Sequence, residues 1–151
     1  MPAIHQKDPK KPRHLGVFVL FLIVAAGGAA ALYYVNYWSA AAQAKKLQNP
    51  VTANPEAIAS GRKIYAEHCG KCHGESGNGR GPKAPELSIL PQDFTDAHAM
   101  SGITDGEFFW QISEGHRPMP PFKDKLTEEQ RWQVVDYIRT FTKNPSGSPT
   151  N

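Results

Sequence analysis

Cys69-Gly70-Lys71-Cys72-His73 is the stretch of this 151-residue chain whose side chains are best placed to do chemistry, and it holds both of the chain's cysteines. Two thiols three residues apart on a turning backbone, followed at once by an imidazole, form the C-x-x-C-H signature of covalent c-type haem attachment. Each thiol can form a thioether to a haem vinyl group, and the histidine is then held under the iron as an axial ligand. In electron-carrying haem proteins such a histidine is commonly paired with methionine, which raises the potential. Other chemistries fit less well. A structural zinc site takes four ligands, usually from two such pairs. No second pair exists here, and His68 is too close in sequence to complete a tetrahedron easily. A thioredoxin-like redox pair needs a βαβ setting, and no pattern of strands surrounds the motif. A disulfide satisfies the cysteine count but leaves His73 without a role.

Beyond the motif lie two methionines, Met100 and Met119. Met119 stands between Pro118 and Pro120, whose fixed φ angles restrict the loop and suit it to hold a weak thioether ligand. Met100 precedes a helix cap and is expected to pack. Met119 is therefore the expected partner of His73 on the iron. His5 and His14 precede the apolar segment described next, and His68 is expected at the surface. His98 and His116 remain alternative sixth ligands, with solvated or hydrogen-bonded roles as the plainer reading.

The elements that must position these residues fall into unequal parts. Residues 1–14 form a basic tail with Lys7, Lys10, Lys11 and Arg13 against Asp8. From Leu15 to Ala44 there is no Asp, Glu, Lys or Arg. The most apolar part, residues 15–38, would span roughly 36 Å as a helix, enough to cross a bilayer core with some tilt. It ends in Tyr33, Tyr34, Tyr37 and Trp38, residue types that favour the membrane boundary. A cleavable signal peptide is the alternative, with the small residues at 26–31 as its cleavage site. Against it, apolar and aromatic residues continue to Trp38, where a polar mature start would be expected. The charge bias predicts a cytoplasmic N-terminus with the rest of the chain on the outer face; in bacteria c-type haem is attached on that face, so the expected location is the inner membrane with a periplasmic domain.

The net charge of +3 resides in that tail. Of the 17 basic and 14 acidic residues, four and one lie in residues 1–14, which leaves 13 of each sign beyond. The basic excess is thus an orientation signal and not a nucleic-acid footprint. Residues 39–54 read as a stalk interrupted by Asn49-Pro50 and Asn54-Pro55, and residues 142–151 as a flexible tail.

Residues 55–141 are expected to be helical. Asn54 and Pro55 open a helix that runs to about Cys69. Capping boxes at Thr104–Glu107 and Thr127–Gln130 open two more. In the last of these, Trp132, Val135, Ile138 and Phe141 recur every three residues, with Val134 and Tyr137 broadening the apolar face. The loop from Gly74 to Ser101 is long enough to need something to wrap around, and a unit this small gains an interior from a bound haem.

With its terminal helices flanking the haem motif, its Gly-x-Gly-x-Gly-Pro loop at 77–82 and its Arg117-Pro118-Met119-Pro120-Pro121-Phe122 stretch, this region resembles a class I cytochrome c. The resemblance implies an all-α fold around one covalent haem c, here preceded by a single transmembrane helix. It also implies that the first and last helices cross near Gly61, Tyr65 and Tyr137, and that His73 Nδ1–H donates to the carbonyl of Pro82. Trp110 and Arg117 are candidates to reach the haem propionates, with core packing and a solvated charge as their plainer roles.

Two functions are then in contention. One is a membrane-tethered electron carrier, not itself an enzyme, that passes single electrons between larger redox complexes of a respiratory or photosynthetic chain and binds no small-molecule substrate. A mono-haem subunit of a quinol-oxidising assembly such as alternative complex III is one form of it. The other is a haem enzyme subunit or gas sensor with an open or labile sixth position on the iron.

Overall fold

The computed structural model describes residues 13–51 and 53–143. It contains helices α1 (Arg13–Ala44), α2 (Pro55–His68), α3 (Gly70–His73), α4 (Ala97–Ser101), α5 (Asp105–Glu114) and α6 (Glu128–Lys143), with one 3₁₀ turn at Ala84–Glu86. No strand occurs among the described residues; a single bridge joins His116 and Met119. The chain divides into two compact units between Ala40 and Ala41. Most of the expected N-terminal and C-terminal tails lies outside the described residues, and α6 continues two residues past the expected helix end.

Within α1, Gly16–Ala44 is long and apolar enough to cross a membrane. Val17–Val24 and Leu32–Val35 present their large side chains outward, and a helix that is apolar all round is built for apolar surroundings. Near its end Tyr34 lies against Trp38 with ring centroids 5.9 Å apart, and Tyr33 against Tyr37 at 6.5 Å. Both are i, i+4 pairs on the helix surface. The helix runs past Trp38 because Ala40, Ala41, Ala42 and Ala44 are strong helix formers.

The second unit is organised by the crossing of α2 and α6. Asn54 caps α2 by accepting from the Ala57 N–H at 2.8 Å, and Pro55 supplies a first residue with no donor to satisfy. At the crossing, a Cβ on Gly61 would overlap the Gln133 carbonyl and stand 3.1 Å from the Tyr137 Cβ. Only glycine lets the backbones come this close. Thr127 and Gln130 cap α6 reciprocally, as Thr104 and Glu107 cap α5. The apolar face of α6 is buried as its periodicity requires: Trp132, Val134, Val135, Ile138 and Phe141 pack with Tyr65, Phe94, Met100, Phe108 and Ile112. Arg139 fastens the α4–α5 corner to α6 through Asp105 Oδ1 at 2.6 Å and the carbonyls of Met100 and Ile103.

Two expectations are corrected. The long connection from Gly74 to Ser101 is not wholly irregular. Asp96 accepts from the N–H groups of His98 and Ala99 and so caps the short helix α4, which carries Met100 into the core. Nor are residues 39–54 a free stalk throughout. Ala44 is buried, and a Cβ on Gly106 of α5 would overlap its carbonyl. Lys45 pairs with Glu107 at 3.3 Å. Asn49 Nδ2 donates to Asp136 Oδ1 at 2.7 Å, and Val51 rests on the core. The glycine on α5 leaves a notch that the chain fills.

Candidate haem site

The haem motif follows directly from the end of α2. The Cys69 N–H donates to the Tyr65 carbonyl at 2.8 Å, and the N–H groups of Cys72 and His73 both return to the Cys69 carbonyl at 3.0 Å. The two thiols and the imidazole therefore sit on one tight turn, α3. Both cysteines are free thiols and half-buried.

A glycine-rich loop clasps this turn from behind. The N–H groups of Lys83, Gly81 and Gly79 donate in order to the carbonyls of Lys71, Cys72 and His73, at 2.9, 3.0 and 2.8 Å. Three successive carbonyls of the motif are thus satisfied by one opposing strip of backbone. Gly81 is required by space, since its Cβ would overlap the Lys71 carbonyl. Gly74, Gly77 and Gly79 hold φ between 72° and 80°, a region open to glycine at no steric cost. Tyr65, fully buried, donates its hydroxyl to the Gly74 carbonyl at 2.8 Å and locks the turn to α2.

His73 is held on one ring nitrogen only. Its Nδ1 lies 3.2 Å from the Gln92 carbonyl, and the Phe94 ring stacks on the imidazole at 4.6 Å with planes 16° apart. The expected acceptor, Pro82, is thereby corrected. Pro82 sits where the loop turns outward and is exposed, whereas the chain returns past Gly79 at Pro91–Gln92 and presents the Gln92 carbonyl to the ring. Burial pushes the His73 pKa down, against the opposing pull of the Gln92 carbonyl; the neutral ring is the form that binds metal. Burial, then the neighbouring Cys72, raises the Cys69 thiol to about 12, so before haem attachment it is a protonated thiol.

Met119 lies in a tight turn after α5. Its N–H donates to the His116 carbonyl at 2.8 Å and its carbonyl accepts from the His116 N–H at 3.0 Å. The turn is tied back to α5 by Phe122 N–H on the Ile112 carbonyl at 3.0 Å. Met119 is half-buried against the core cluster, whereas Met100 is fully buried within it. Trp110 is half-buried on α5, and Arg117 is exposed in the Met119 turn together with His116. His68 departs from its expected surface placement: it is half-buried, with its ring 6.0 Å from that of Phe122. Sequence reasoning missed Gln92 as the acceptor beside His73, because its position depends on how a loop of about twenty residues closes.

These residues suit a covalent haem. The thiols are unpaired and adjacent, and the hydrogen bond on Nδ1 leaves Nε2 as the nitrogen free to bind iron. Among the described residues, no three His, Cys, Asp or Glu side chains gather into a set that could hold a bare metal ion.

Comparison with known proteins gives the family. The family model described as cytochrome c oxidase, cbb3-type, subunit III matches residues 56–138. The cbb3-type cytochrome c oxidase subunit FixP of Sinorhizobium medicae is 35% identical over 109 residues, which cover 64% of this chain and 35% of the relative. Cytochrome c6 of Euglena viridis is 27% identical over 86 residues, covering 57% of this chain and 94% of its own length. Among solved structures, the reducing HAO-like protein complex Kustc0457/Kustc0458 of Kuenenia stuttgartiensis matches with a TM-score of 0.57 and 31% identity, over 63% of this chain and 49% of that one. The chain spans about a third of the length of the FixP relative. With the matched span covering more than half of its residues, the chain belongs to this family of c-type cytochromes: a class I electron-transfer domain with one covalently attached haem c, preceded by one long apolar helix.

Proposed function

We propose that the protein is a membrane-tethered electron carrier, with His73 and Met119 as the two axial ligands of its haem iron. The observation that carries this reading is the disposition of His73, tied on Nδ1 and free on Nε2 beside two thiols on the same turn. When bound, haem c supplies a one-electron couple. The chain's own part is to hold and shield it. Cys69 and Cys72 fix it covalently, and His73 is oriented by Gln92 and Phe94. Phe94, Phe108 and Ile112 belong to a dry, low-dielectric interior. The Met119 turn, secured to α5, offers a thioether whose loop is already ordered by flanking prolines.

The helix α1 anchors the carrier in the bacterial inner membrane, with the basic N-terminus in the cytoplasm and the haem domain on the outer face. Its partners are larger membrane redox complexes or their subunits, and it passes single electrons without turning over a small-molecule substrate. The names of the relatives, an oxidase subunit and a member of an HAO-like complex, support a partner of this kind.

Substitution of Met119 tests the ligand set. We expect Met119→Ala to keep the thioether-linked haem, to lose the methionine-to-iron charge-transfer band of the oxidised protein, to lower the midpoint potential and to let carbon monoxide bind the reduced form. An unchanged spectrum would move the sixth ligand to Met100 or a histidine.

A further inference from the structure

The turn from Gln92 to Thr95 grips His73 from two directions. The Gln92 carbonyl meets Nδ1 at 3.2 Å and the Phe94 ring covers the face of the imidazole at 4.6 Å. Asp93 stands between these two residues, and its carboxylate bonds within the turn rather than to the thiols or the imidazole. Its Oδ1 accepts from the Thr95 N–H at 2.8 Å and from the Thr95 hydroxyl at 2.6 Å. This is an Asx turn, a side chain standing in for backbone and fixing the residues on either side. Gln92 Nε2 donates to the Asp93 carbonyl at 2.9 Å, and the Phe94 N–H donates to the Gly77 carbonyl at 2.7 Å.

We propose that Asp93 is a positioning residue for electron transfer: by closing this turn it aims the Gln92 carbonyl and the Phe94 ring at His73 and so sets the potential of the haem. The physical chain is short. An imidazole that donates its outer N–H to a fixed acceptor is a more basic ligand, and a more basic ligand favours the oxidised metal. The His73 contact is already at the long end of the hydrogen-bond range, so modest slackening of the turn breaks it. The Asp93 carboxyl is held below the usual carboxylate range by the Thr95 hydroxyl, with the backbone N–H groups of Thr95 and Asp96 and the charge of Arg80 adding to the effect. Asp93 is therefore ionised when it closes the turn.

The inference rests on His73 being the iron ligand proposed above. That is checked first, on the unsubstituted holoprotein in detergent, by the His73 ring resonances of the reduced state; their absence from the haem-shifted region would overturn the ligand reading before any variant is made. In the same preparation Asp93→Ala is then compared with Asp93→Asn, which keeps the Oδ1 acceptor and drops the charge. We expect Asp93→Ala to retain thioether haem while its midpoint potential rises and the His73 Nδ1 proton signal is lost to exchange with water. Asp93→Asn should keep that proton signal and restore most of the potential. If the signal survives in Asp93→Ala, or if both variants shift the potential equally, Asp93 acts through its charge alone and the proposal fails. Should Asp93→Ala not mature, Thr95→Val removes one of the two donors and keeps the N–H. A rise in potential in the same direction supports the proposal, and no change overturns it.

Discussion

Gly28 and Gly61 both sit inside helices, yet the space beside them is opposite in kind. A Cβ added at Gly27 or Gly28 meets nothing within 4 Å, whereas one added at Gly61 would land on the Gln133 carbonyl. A helical glycine is unfavourable by about 0.5–1 kcal/mol relative to alanine. In α2 the approach of α6 demands it. In α1 no neighbour within the described chain does. Gly81 and Gly106 belong with Gly61, since each accepts another stretch of backbone where a methyl group would stand. The difference separates a unit held together by its own close approaches from a helix whose surroundings are to be supplied by something else.

The largest effects should come from Gly61→Ala and Gly81→Ala. Both would overlap a carbonyl, and overpacking against backbone is expected to cost about 3 kcal/mol or more. We expect each to lower the Tm of the matured holoprotein sharply, with Gly81→Ala also reducing the yield of thioether haem because it opens the clasp behind the motif. Gly106→Ala should come next, at about 2 kcal/mol. Its distinctive readout is faster hydrogen exchange at residues 44–51, the segment seated in that notch. Exchange confined to other segments would show that the notch does not hold the chain.

Asp136 tests the polar half of the same seat. Burial, reinforced by the charge of Asp105 and opposed by the hydrogen bond from Asn49, raises its carboxyl to about 6, and its Oδ2 is buried without a partner. A folded-state pKa above the unfolded value means the native state holds the proton more tightly. The contribution of this group to stability is therefore fully present below about pH 4 and is lost as pH rises through about 6. Asp136→Asn removes that loss, so the variant should be more stable than the parent by about 1–2 kcal/mol at pH 7 and indistinguishable from it below about pH 4. Equal stability at pH 7 would contradict the raised pKa. The smallest effect should be that of Gly28→Ala, which should leave both the Tm of the haem domain and its haem content unchanged within about 0.5 kcal/mol. A large effect there would erase the contrast between the two regions.

What the sequence made legible follows the range of the interactions involved. The caps at Asn54, Thr104 and Thr127 are written within three or four residues, and each occurs as its spacing predicts. The apolar face of α6 is equally local, and the haem motif is contained in five residues. The Gly61 crossing spans the whole domain and came only from the resemblance to cytochromes c. The contact of His73 with Gln92 bridges 19 residues, and nothing in the composition of that loop marks which carbonyl will face the ring. For the same reason Asn49 read as part of a stalk: its partner, Asp136, is 87 residues away. The placement of residues 44–51 depends on the notch at Gly106, and a glycine just inside a helix start carries no label for what fills it.

The meeting of α2 with α6 has a consequence for how the molecule is made. The helix that opens the domain finds its mate only in the last described helix, so neither can bury its face until nearly all of the domain has been synthesised. The clasp behind Cys69 and Cys72, by contrast, is made of backbone bonds within residues 71–83 and needs no part of the final helix. The attachment peptide is thus ordered by near neighbours and the helix crossing by distant ones, and loop-closure entropy favours the near contacts first.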